Sequence, residues 1–253
     1  MKLLKLFLLL VVGFSFSLNA KDIKLTETSN QFVITSKSLS EFTFVNHLSE
    51  ISTIKIKKDT EEFVKLIVSG YGENAQKGTA ELPVLEELMN IPFGSNIEVK
   101  ILHKEEKVIS LLDYGIDNLV FPSQPSISKG ENAEDVLFYF DEGYYNYDGF
   151  YEKDIIKTEL LGRMRGQQLA RISVDPFQYN PTTNELKVIT KLEVKVLFKN
   201  LDLEGHKVNK QKYYSSEFNH LFKSCINYIP SEHKDVITTY PVKYVIISDP
   251  AFQ

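Results

Sequence analysis

One cysteine, no tryptophan and three methionines among 253 residues remove several classes of protein at the outset. A lone thiol, Cys225, cannot build an internal disulfide framework. Stability must then come from a core, which a mature chain of about 230 residues is long enough to close. Basic residues are outnumbered, 29 against 34 acidic, and the formal charge is −5. If a leader is removed with Lys2 and Lys5 the charge becomes −7, a poor basis for binding nucleic acid, whose affinity depends on phosphate neutralisation. No serine nucleophile elbow, zinc-ligand spacing or phosphate-cradling loop is present. Gly70-Tyr71-Gly72 lacks the later glycines and the helix that such a loop needs. No cofactor and no metal is expected, and no internal repeat is evident.

The one long apolar run lies at the start. Lys2 and Lys5 precede the stretch 6–16, and Leu18-Asn19-Ala20 offers a small-residue site, the three-part pattern of a signal peptide cleaved after Ala20. The run is too short for a comfortable bilayer span. An exported protein is the expectation, periplasmic first and then on the cell surface or in the medium.

Beyond it, short runs rich in β-branched and aromatic residues recur at 32–34, 42–45, 51–56, 63–68, 97–101 and 192–198, several with strict alternation. Polar turns such as 69–74 and 179–184 separate them. The pattern argues a mainly β chain, an antiparallel β-sandwich over 21–228. One helix is expected near its C-terminal end, over 215–228, where Phe218, Leu221, Phe222, Cys225 and Ile226 fall at helical spacing behind Ser215 or Ser216. That stripe makes Cys225 a core residue. His220 lies on another face and cannot serve it as a base.

Residues 229–240 are polar and proline-bounded, the composition of a linker and of a processing site. Lys234 is one candidate cleavage point. Lys207, Lys210 and Lys212, in a second polar stretch, compete with it. Residues 241–253 read differently: 244–247 is a nearly continuous apolar run closed by Ser248-Asp249-Pro250, as a strand buried on both faces of a parallel sheet reads. We expect it to open a truncated α/β domain.

Several blocks carry a family resemblance: 78–83 (GTAELP), Ile91-Pro92 with Gly94, 121–125 (FPSQP), 162–166 (GRMRG), 169–181 (LARISVDPFQYNP) and 244–250 (YVIISDP). In this order they resemble the propeptide of gingipain-type cysteine peptidases and the first strand of their caspase-like domain. The resemblance implies a folded prodomain that chaperones and masks a cysteine endopeptidase in cis and is removed by an activating peptidase. It also implies a Bacteroidetes-type export and secretion route. The catalytic His and Cys of such enzymes lie far beyond the first strand, so no catalytic residue is assigned and the fragment itself is not expected to be an enzyme. In this family a basic side chain occupies the specificity pocket, and the matching block holds Arg163 and Arg165. The flanking Gly162 and Gly166 permit close backbone approach. The alternative for these arginines is a solvated strand end paired with Glu159 or nearby acids.

A second functional class starts from residues 138–151, dense in aromatic and acidic side chains. An exposed face of that kind on a β-sandwich would suit a secreted carbohydrate- or calcium-binding or adhesion module. The missing tryptophan and the absence of calcium-loop spacing weigh against it.

Overall fold

The computed structural model describes residues 21–58, 60–73, 75–130 and 136–230. The signal-peptide stretch with Ala20, the candidate site Lys234 and the 241–253 run lie outside the described residues. Within them the chain is mainly β. Its strands are β1 (Lys21–Lys24), β2 (Gln31–Lys37), β3 (Glu41–His47), β4 (Glu50–Lys58), β5 (Glu61–Ile67), β6 (Gly72–Glu73), β7 (Pro83–Ile91), β8 (Asn96–Ser110), β9 (Ile156–Met164), β10 (Gln167–Val174), β11 (Phe177–Asn180) and β12 (Glu185–Lys199). Each of the six runs read as strands in 32–198 lies in a strand, except that 63–68 overruns the end of β5 by one residue. Pro83 opens β7 and Pro92 follows its last residue, as a ring without an N–H requires at a strand boundary.

These strands form three sheets, in the orders β1-β4-β5, β6-β7-β10-β9 and β11-β12-β3-β2, with every strand pair antiparallel. β8 runs along the other side of β12 for nearly its full length. Alternation along β12 places Leu186 and Val188 in one apolar cluster with Ile23, Ile51, Leu66, Phe177 and Tyr179. Further along, Leu192, Val194, Val196 and Phe198 join a second cluster with Phe42, Phe44, Met89 and Ile172. A register irregularity between Ile189 and Lys191 separates the two stretches. β12 is therefore the spine shared by two cores.

The β11–β12 connection is the hairpin that Asn180-Pro181 and Asn184 predict. Asn180 pairs Glu185, Asn184 takes φ 51°, and its side chain accepts from the Tyr179 hydroxyl at 2.8 Å while donating to the Ile116 carbonyl at 3.0 Å. Of residues 138–151 only Tyr144 and Tyr145 are buried, while Phe140 and Tyr147 are exposed. Tyr144 and Tyr145 lie on the one-turn helix α1 (Glu142–Tyr145), and Phe138 and Phe140 pack around Phe63.

The helical expectation needs correcting. The C-terminal helix is shorter than 215–228: α3 spans Ser216–Phe222, Leu221 is exposed, and Cys225 is buried beyond the helix rather than on its stripe. A second helix, α2 (Leu203–Lys212), precedes it through the residues read as a second polar stretch. Its signals are end signals: Asp202 accepts from the Gly205 N–H as N-cap, Glu204 sits in the first turn, and Lys210 and Lys212 in the last. It buries only His206, so no apolar period announces it.

Candidate functional site

Arg163 and Arg165 lie at the closed end of the β9–β10 hairpin. Met164 pairs Gln167, which leaves Arg165 and Gly166 as a two-residue turn with φ 48° and 72°, the signs of a type I′ connection. A Cβ on Gly166 would come within 2.6 Å of the Tyr213 ring, because the end of α2 packs directly on this turn. Both guanidinium groups are engaged: Arg163 lies 4.2 Å over the Phe93 ring and Arg165 4.5 Å over Phe218 on α3. Such contacts are worth about 0.5–1 kcal/mol at exposed sites. Glu159 is not their partner. It stands opposite Arg171 in the register, and Arg171 bridges it at 3.2 Å to Glu86 at 3.0 Å. Four residues of strand separate Glu159 from Arg163, roughly 13 Å, which puts the pair out of reach.

The chain leaves the sandwich beside this hairpin, through a clasp that sequence reasoning missed. The Ile226 N–H donates to the Leu88 carbonyl at 2.8 Å, and the Asn90 N–H to the Asn227 side chain at 2.8 Å. Asn227 returns a bond to the Asn90 carbonyl at 2.6 Å, and the Asn90 side chain donates to Gln167. Lys37 donates to the Tyr228 carbonyl at 2.9 Å and Lys210 to that of Ile229 at 2.7 Å. Lys210 is thus bound within the fold on a helix, not displayed in an open loop. Burial lowers the pKa of Lys210, and burial followed by the Lys210 charge lowers that of His206. Cys225 is held in the same region, its thiol pushed up to about 11 by burial, so the thiolate needed for nucleophilic attack is scarce at neutral pH.

A further basic side chain lies where β9 begins. Residues 147–155 form no strand or helix, and Lys153 among them lines a cavity of about 200 Å³ with Lys104, Glu106, Asp175, Gln178 and Lys187. Burial lowers the pKa of Lys153 and raises that of Asp175 across the cavity. Nothing in the sequence pattern distinguishes this lysine. Of the histidines, His103 is exposed and meets Glu105 at 2.9 Å, His47 is half-buried, His206 is buried and His220 exposed. His233 lies outside the described residues. Among the described residues, no group of three or more His, Cys, Asp or Glu side chains is placed to share a metal ion, and no helix is long and apolar enough to cross a membrane.

The described residues thus form an antiparallel β fold with a tight basic hairpin and a pinned C-terminal exit. The chain belongs to the Propeptide_C25 family, whose model matches residues 30–223. Over its whole length it is 27% identical to Lys-gingipain of Porphyromonas gingivalis, of which it spans 15%, and over 67% of its length 27% identical to Gingipain R2 of the same organism, of which the match covers 23%. Among solved structures, it resembles one described as bearing on the zymogenic latency of gingipain K from P. gingivalis, with TM-score 0.68 and 29% identity, covering 71% of this chain and 98% of that one. A second, a complex of the P. gingivalis RgpB pro- and mature domains, shares the fold at TM-score 0.58 and 18% identity, covering 73% and 96%. The described part is thus propeptide, not catalytic domain.

Proposed function

We propose that this chain is the latency-maintaining and fold-assisting propeptide of an exported cysteine endopeptidase, held against its own catalytic domain until an activating peptidase releases it. The observation that carries the reading is the propeptide family match over residues 30–223, supported by a structure concerned with zymogenic latency that this chain covers almost completely. The unit responsible is residues 21–228. Residues 229–240 are its processing segment, with Lys234 the candidate cleavage point, and 241–253 open the peptidase domain. Export through a signal peptide cut after Ala20 would take the precursor to the periplasm and then to the surface or medium.

Masking requires a basic side chain on a segment that a cleft can accept. Arg163 and Arg165 are our first pair for this role; each would have to leave its ring, and the I′ turn would have to enter the cleft as a closed hairpin. Lys153 meets the backbone requirement more directly, since residues 147–155 are free of sheet pairing. The test is peptidase activity of the full precursor with the processing segment made uncleavable. Activity should be low in the wild type and rise when the propeptide is removed. A rise in the Arg163→Ala, Arg165→Ala double variant assigns masking to the hairpin, and a rise confined to Lys153→Ala assigns it to the preceding segment. A wild-type precursor as active as the released enzyme would remove the latency reading.

A further inference from the structure

The strand edges of this fold are not treated alike. β5 is covered by residues 119–121, through Val64 N–H to Leu119 at 2.9 Å and Phe121 N–H to Val64 at 2.8 Å. The part of β7 beyond β6 is covered by the exit clasp at Ile226 and Asn227. β8 is blunted by a run of charge, with Lys104 bonded to Glu106 at 2.7 Å and His103 to Glu105 at 2.9 Å. Unpaired backbone groups along a strand recruit another strand, and covering or charging the edge is how proteins prevent it.

β9 has neither cover nor charge at its centre, and only a local register shift interrupts it there. It ends its sheet, and among the described residues no strand pairs with its outer side. Leu160 is 58% and Leu161 44% exposed, and the register shift that leaves Leu161 without a partner in β10 sets the two leucines side by side on the edge. Lys157, Glu159 and Arg163 flank them, so an apolar centre carries a charged rim, the composition of a contact surface.

Where the chain leaves identifies the occupant. Asn90 joins the exit residue Asn227 to Gln167, the first residue of β10, whose partner Met164 closes β9. The last described residues and the closed end of β9 therefore lie at the same end of the sheet, with β7 and β10 between them. We propose that the outer edge of β9, centred on Leu160 and Leu161, is the docking edge for the peptidase domain downstream in the same polypeptide, which contributes an edge strand and an apolar patch to it. This inference rests on the propeptide reading above and names the surface that would hold the two domains together.

The experiment is hydrogen exchange and activity on the full precursor with an uncleavable processing segment. In the latent precursor the β9 amides, residues 156–164, should exchange at least about tenfold more slowly than after the propeptide is released, a modest protection for paired amides. Leu160→Lys with Leu161→Lys should abolish that protection and raise the activity of the uncleaved precursor about tenfold or more, the scale of losing central contact residues. Val108→Lys with Leu112→Lys, two other exposed apolar positions, should do neither. Unchanged exchange in β7 and β10 would show that the variant sandwich is intact. If β9 exchanges equally in latent precursor and released propeptide, the docking edge is elsewhere while latency stands. Protection that disappears on dilution as a dimer dissociates would make the occupant a second copy and overturn the proposal. A wild-type precursor active before release would remove the propeptide reading itself, and this inference with it.

Discussion

The two long strands at either side of β10 differ in how their free edges are treated. β7 has its free edge closed by the chain's own exit, through Ile226 and the paired bonds of Asn227 with Asn90. Among the described residues no strand pairs with the outer edge of β9, and two exposed leucines lie along it. The same sheet thus has one edge closed by the exit and one that is unpaired among the described residues, the edge proposed above for docking.

Removing the clasp should have the largest effect on this contrast. Deletion of residues 225–230 takes away buried Cys225, half-buried Ile226 and the bonds that close β7. We expect a loss of about 3–5 kcal/mol in urea unfolding and faster exchange of the β7 amides. Truncation after Pro230 should leave the unfolding transition unchanged. Equal stability of the two truncations would show that β7 needs no cover.

Next in size is the turn that ends β9. Gly166→Val forces a β-branched residue to φ 72° and drives its Cβ toward Tyr213, for an expected cost of about 2–4 kcal/mol, read in the same urea titration. Loss of α2 packing should accompany it.

A smaller effect is acid-sensitive. His206 faces Lys210 from its own helix in a small pocket shared with Ser38, Asn90 and Tyr228, with Lys37 of β2 also bonded to the exit and no carboxylate lining that pocket among the described residues. Its pKa in the fold is depressed. The unfolded chain therefore takes up a proton near the ordinary histidine value of about 6.5 while the folded chain does not, and stability falls as the pH drops through that value. The full contribution is present above it. Urea midpoints between pH 7.5 and 5 should show the decline, and His206→Gln should flatten it.

The smallest effect is expected at the open edge. In the separated domain, Leu160→Lys with Leu161→Lys should change stability by no more than about 0.5 kcal/mol per site, since both side chains already face solvent. A large loss would mean that β9 is structural, and the contrast between the two edges would disappear.

Strands were legible in this chain because alternation is local: 97–101 and 192–198 show a two-residue period that only a half-buried strand explains. The proline boundaries of β7 and the Asn180–Asn184 turn were legible for the same reason, each resting on one residue's backbone limits. α2 was not, because its surface is polar and its signals are confined to the caps. The stripe at 218–226 was misread because its members are gathered by two kinds of structure, α3 and the turn beyond it. The candidate site divided in the same way. Glycines around Arg163 and Arg165 announced a special backbone, yet the rings that hold the two guanidinium groups, Phe93 and Phe218, come from remote segments.

By itself the sequence determined what depends on neighbours along the chain: the β class, the turn positions, the single inert thiol, and the ordered motifs that mark a propeptide. Tertiary structure alone decided which strand ends each sheet, which edge the exit closes, and that Glu159 serves Arg171 while Leu160 and Leu161 stand exposed. Those outcomes depend on register between segments remote in sequence, as Asn90 meets Gln167 and Asn227. The residue period within a strand carries no information about which partner the strand will find.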